Sequence, residues 1–237
     1  MDDSLLTVLK YVMIPVVVTI IGGIVAAYRS PGERTRITVQ HFAAGVVFAA
    51  VALELLPELV TNLKILPLII GFSSGVALML VVRKVSEKFE GSGGSGGLVI
   101  ASGVDVFIDG LLIGVSFDVG LKAGIIITIA LAIELLFLAL SVASTLAREG
   151  KSKSRIIITT VILSLLVLIG ATIGGTLLQG IHGSGLEVII AFAVAALLYL
   201  VTEELLVEAH KGERDSAFST TMFFVGFLIV LILETAF

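Results

Sequence analysis

The chain of 237 residues contains no cysteine. Disulfides, thiolate metal sites and thiol nucleophiles are therefore excluded. Charge is scarce as well: 14% of residues are Asp, Glu, Lys or Arg, with a net charge of −4. The few basic residues lie in short polar segments rather than along one face, which argues against nucleic acid as a partner. No glycine-rich nucleotide loop occurs, so an ATP-driven pump is not expected. A cleavable signal is not expected either, because Met1-Asp2-Asp3 is acidic where such a leader is basic.

What remains is apolar. Hydrophobic residues make up 57% of the chain, and the mean hydropathy is +1.16. A water-soluble domain of this size has too little interior to hide that surface. Lipid is the matching solvent. A spanning helix needs roughly 20 residues, and apolar runs fall near residues 5–28, 37–60, 65–82, 98–117, 123–147, 156–178, 186–209 and 217–237. The expectation is an all-α, polytopic protein of eight transmembrane helices filling one domain, 1–237.

The basic residues orient these runs. Arg29, Arg34, Arg36, Arg83, Lys84, Lys88, Arg148, Lys151, Lys153, Arg155, Lys211 and Arg214 fall at the odd-numbered loops, leaving only Lys10, Lys64 and Lys122 of the fifteen on the other side. Positive loops stay cytoplasmic. Both termini are therefore expected outside, in a multi-pass protein of the cell membrane. The glycine- and serine-rich stretch 91–97 in the third loop resembles a flexible or engineered linker and carries no functional weight.

Glu54-Leu55-Leu56-Pro57-Glu58 in the second run is echoed by Glu204-Leu205-Leu206-Val207-Glu208 in the seventh. The two copies cross the membrane in opposite directions. An inverted repeat of residues 1–83 and 156–237 around central helices 98–147 would produce this, a 3+2+3 arrangement.

Acids inside apolar runs are the informative residues, since a charge at the bilayer centre costs at least about 2.5–3.5 kcal/mol on insertion scales. Asp105 and Asp109 stand one helical turn apart on one face of the fourth run, with Ser102 and Ser116 on the same face. Glu134 lies at the middle of the fifth. Such acids can serve as hydrogen-bonded packing devices, but two like charges one turn apart repel, and a bound cation or shared proton removes the conflict. Asp105, Asp109 and Glu134 are thus the candidate metal ligands. Glu54, Glu58, Glu203, Glu204, Glu208 and His210 are candidates for the path or its gates, with Ser102 and Ser116. His41 reads as an ordinary interfacial residue, and His182 as a loop residue.

These segments resemble the Zrt/Irt-like (ZIP) transporters of zinc, iron, manganese and similar ions. Asp105-Val106-Phe107-Ile108-Asp109-Gly110 is similar to the family's fourth-helix pattern His-Asn-Phe-x-Asp/Glu-Gly. Phe42-Ala43-Ala44-Gly45-Val46 through Leu55-Leu56-Pro57-Glu58 is similar to its second-helix pattern, and Tyr199 through His210 to its seventh. The resemblance implies eight helices, a 3+2+3 plan and transport of a divalent ion. The departures are equally specific. Asp105 and Val106 replace His-Asn, the fifth helix keeps only Glu134 of His-Glu-x-Pro-His-Glu, and the sixth offers only Ser and Thr. One all-oxygen site is expected, with Mn, Fe, Zn, Cd or Mg as the ion carried. The partners implied are that ion and the lipid bilayer, with a second copy of the chain, in a homodimer, as a further candidate. Two rivals follow from the same residues. A degenerate relative would bind an ion or partner as sensor or scaffold without transport. An intramembrane aspartyl protease would need its two aspartates on different helices, which Asp105 and Asp109 do not satisfy.

Overall fold

The computed structural model describes residues 3–29, 32–61, 64–90, 95–177, 181, 183–210 and 217–236. Eight helices long and apolar enough to cross a membrane are present among them, and no strand. We label these α1 (Asp3–Tyr28), α2 (Glu33–Ala50, continuing through Val51–Leu55 and Leu56–Thr61), α3 (Ile65–Glu90), α4 (Ser95–Val119), α5 (Leu121–Arg148), α6 (Lys153–Leu177), α7 (Ser184–Tyr199, continuing through Leu200–Leu205 and Leu206–His210) and α8 (Ala217–Ala236). The protein is an all-α, polytopic membrane protein.

Two helices run past their apolar stretches. α3 continues beyond the run ending near residue 82 because its last turns are helix-favouring charged residues joined by an Arg83–Glu87 pair one turn apart, 2.9 Å long. α4 begins at Ser95, so part of the glycine- and serine-rich stretch is helical. Residues 91–94 lie outside the described residues.

Burial separates inner from outer helices. The apolar windows of α4, α5 and α7 are 61% buried within the protein, whereas those of α3 and α8 are 22% and 17% buried. Ile21, Ile69, Ile162, Phe224 and Ile232 are among the large apolar side chains left facing outward, as a lipid-exposed bundle requires. Most membrane-depth hydroxyls bond carbonyls of their own helix. Thr19 donates to Pro15, Thr128 to Gly124 and Thr172 to Leu168. They satisfy themselves locally and contribute little to holding helices together.

Small residues do that instead. A Cβ added to Gly110 would strike the Val167 carbonyl, and one on Gly170 the Phe107 carbonyl, so α4 and α6 meet backbone to backbone. Gly22 sets α1 against Leu136 of α5 in the same way. On the other side Gly45 meets Phe223 and Gly226 meets Phe42, joining α2 to α8, while Gly71 meets Val188 and joins α3 to α7. Every such interhelical glycine contact among the described residues lies within α1/α4/α5/α6 or within α2/α3/α7/α8. Exchanging α1 with α6, α2 with α7, α3 with α8 and α4 with α5 maps the main helix pairings onto one another: α4–α6 onto α5–α1, and α2–α8 onto α7–α3.

α2 and α7 share a further feature. Each loosens into a π turn, at Val51–Leu55 and Leu200–Leu205, where the amide of Leu56 reaches the Val51 carbonyl and that of Leu206 reaches Val201. Pro57 follows the first turn, but Val207 occupies the matching place after the second. Proline alone is therefore not the cause. The turns carry Glu54, and Glu203 with Glu204, a placement common for π-bulges at functional sites.

Replacing Gly110 by Leu should cost about 1–3 kcal/mol or more, because backbone cannot yield as a side chain does. Thermal unfolding in detergent measures this, and a melting temperature equal to wild type would contradict the packing described.

Candidate metal centre

α4 and α5 form an antiparallel hairpin about Gly120. Asp109 and Asp105 stand 11 and 15 residues before that glycine, and Glu134 stands 14 after it. At 1.5 Å of rise per residue, Glu134 lies at a depth between the two aspartates. The structure brings them together: one carboxylate oxygen from each of Asp105, Asp109 and Glu134 lies within 4.8 Å of the others. Asp109 and Glu134 are each 2% exposed. Asp109 Oδ2 and Glu134 Oε2 are buried without a hydrogen-bond partner, although buried oxygens are normally satisfied. The donor set is all oxygen, preorganised by two rigid helices, and can hold a hard or borderline divalent cation.

A cavity of about 410 Å³ reaches this cluster from the face that carries Arg83 and the other odd-loop cations. Asp105 and Glu134 line it, with Ser102, Ser141 and Glu204. Glu204 of α7 lies beside Asp105 of α4, and both line this cavity. At the mouth Arg83 pairs with Glu203 at 3.1 Å and with Glu87. The mouth pairs are exposed, and such pairs contribute at most about 1 kcal/mol each.

The remaining candidates divide clearly. Ser116 is 2% exposed and donates at 2.7 Å to the Ile113 carbonyl of its own helix, away from the cavity. Glu58 is exposed beyond the π turn of α2. Glu54 is partly buried toward the opposite face, where Glu234 of α8 and Lys122 of α5 are its electrostatic neighbours and Lys122 pairs with Glu234. His210 packs on His41 rather than on the acids. The side chain of Glu208 lies outside the described residues, as does His182.

Sequence reasoning did not single out Arg83, Gln40, Lys122 or Glu234. Glu234 had a usable signal, an acid inside the last apolar run. Arg83 and Gln40 had none, because their role comes from α3 and the start of α2 closing one wall of the cavity.

A family model described as ZIP Zinc transporter matches residues 94–234, which covers nearly all of α4 through α8. No curated protein matches the chain.

Since the chain has no cysteine, single replacements report on the cavity without background. Ser141→Cys should react with a water-soluble thiol reagent at least about tenfold faster than Ser116→Cys, because reagent must reach the thiol through water. Mass spectrometry of the labelled protein follows both, and equal rates would mean that the cavity is not open to water.

Proposed function

Because the chain belongs to the ZIP zinc transporter family, we propose that it carries a divalent cation toward the cytoplasm through the carboxylate cluster of α4 and α5. It is a multi-pass membrane protein and a metal transporter; the ion, the direction and the residues are our reading. The convergence of Asp105, Asp109 and Glu134 beside a cavity that Asp105 and Glu134 line is the observation that carries it.

Asp109 and Glu134 are the central ligands, since both are almost fully buried and each presents an unpartnered oxygen. Asp105 is a further ligand or proton acceptor. Three carboxylates offer −3 against an ion of +2, which leaves one proton to settle the remaining charge. The absence of imidazole and thiolate from this cluster favours Mn²⁺, Fe²⁺ or Mg²⁺ over zinc, with Zn²⁺ and Cd²⁺ still able to bind carboxylates.

The positive-inside rule makes the cavity's mouth cytoplasmic and puts both termini outside, in the cell membrane. Glu203 and Glu204 then lie on the exit side, and Glu54 on the inlet side. The exchange of helix pairings and the matching π turns support an inverted repeat of 1–83 and 156–237 around 98–147. Alternating access does not follow those sequence boundaries. The glycine contacts bind α1, α4, α5 and α6 into one body and α2, α3, α7 and α8 into another. The ion rides with the first body as it slides past the second.

Metal uptake into dye-loaded proteoliposomes tests the reading. Asp109→Ala and Glu134→Ala should abolish ion-dependent uptake while both proteins still melt cooperatively. Wild-type rates in either variant would overturn the assignment. Wild-type protein that gains thermal stability from the ion but moves none would point to the non-transporting binder instead. Asp105→His should raise zinc uptake relative to manganese by roughly tenfold, the equivalent of about 1.4 kcal/mol of preference, measured as a ratio of initial rates.

A further inference from the structure

His41 sits in the first part of α2 with 1% of its surface exposed. Its Nδ1 lies 3.0 Å from the Ile37 carbonyl oxygen. A carbonyl only accepts, so Nδ1 carries the hydrogen and the neutral ring presents a lone pair at Nε2. That Nε2 is buried and has no hydrogen-bond partner. Leaving a buried nitrogen unsatisfied is costly, which calls for a reason.

Facing it is His210, the last described residue of α7, whose Nδ1 lies 2.6 Å from the Leu206 carbonyl oxygen. Both rings are thus locked by the carbonyl one turn earlier in their own helix, in the same tautomer. A backbone carbonyl on one nitrogen is the usual support of an imidazole that ligates metal through the other. The ring centres are 5.1 Å apart with 65° between the planes. Two imidazoles on one tetrahedral ion, with metal–nitrogen bonds of about 2.0–2.1 Å, bring their centres to roughly the same separation.

Edge-to-face packing of two rings explains the spacing but not the lone pair. Such packing sets the positive C–H or N–H rim of one ring over the face of the other, and it supplies no donor to the lone pair at His41 Nε2. Neither histidine belongs to the carboxylate cluster or lines the cavity that reaches it. His210 instead lines a shallow hollow with Thr202, Leu206 and Val207. Water has access there to complete a coordination shell.

We propose that His41 and His210 form a second metal site at the basic-loop end of α2 and α7, selective for borderline ions such as Zn²⁺, Co²⁺ or Ni²⁺. Imidazole donors separate it from the all-oxygen cluster, which takes harder ions. An ion here clamps the start of α2 to the end of α7. The inference does not depend on transport.

The test uses untagged full-length protein labelled with ¹⁵N-histidine, which contributes three residues. Added Zn²⁺ should shift the Nε2 resonances of His41 and His210 together at one equivalent, and Mg²⁺ should leave both unmoved. Asp109→Asn should retain the response, which separates this site from the carboxylate cluster. By equilibrium dialysis, His41→Gln should lose one equivalent of Zn²⁺. Should that buried change unfold the protein, His210→Ala at the exposed helix end should lose the same equivalent. A shift of His210 alone, a response to Mg²⁺ equal to that to Zn²⁺, or full stoichiometry in His210→Ala would overturn the proposal.

Discussion

Three carboxylates share a volume less than 5 Å across between α4 and α5. At an effective dielectric of about 20, each fully charged pair at that distance repels by roughly 3–4 kcal/mol. Among the described residues no basic side chain is paired with them, and Arg83, which lines the same cavity, is held by Glu87 and Glu203. A proton or a divalent cation is the remaining source of positive charge. The helices can hold the acids in this arrangement because their rotation is fixed elsewhere. α4 is pinned by backbone contact with α6, and α5 by Gly22 of α1.

The same packing sets the charged groups at either end. Toward one face the cavity that Asp105 and Glu134 line is also lined by Glu204, Glu203 and Arg83. Toward the other, Glu54 lies by Glu234 and Lys122. Both Glu54 and Glu204 sit on π turns, where an extra residue per turn redirects side chains that a regular helix would place elsewhere. The ion pairs beyond them are solvent-accessible and weak. On the route proposed above, an ion would meet partners that exchange readily at the ends and a tightly enclosed set only at the centre.

Cohesion without a hydrophobic driving force explains the glycine pattern. In lipid, apolar side chains gain little by leaving the solvent, so close backbone approach supplies the attraction. The hydroxyls do not, being bound to their own helices. Tight glycine contacts hold four helices in each body, and among the described residues no such contact crosses the boundary between them, although one apolar core runs through both. A boundary of this kind has no interlocked backbone to resist sliding. The His41–His210 pair lies within the second body, so an ion there would bear on that body's own shape.

The eight spans and the acids inside them were legible in the chain because hydropathy and helical period are local properties. Asp105 and Asp109 share a face by spacing alone, and a short hairpin puts Glu134 at their depth. Other features were decided by which helices touch. Ser116 shares the face of Asp109 yet turns to its own carbonyl, and Glu58 ends exposed. Glu54 finds Glu234 across 180 residues of sequence, and His41 meets His210 in the same way. Those encounters follow from backbone approach between distant helices, set by the fit of small residues against carbonyls. No period within one helix encodes it.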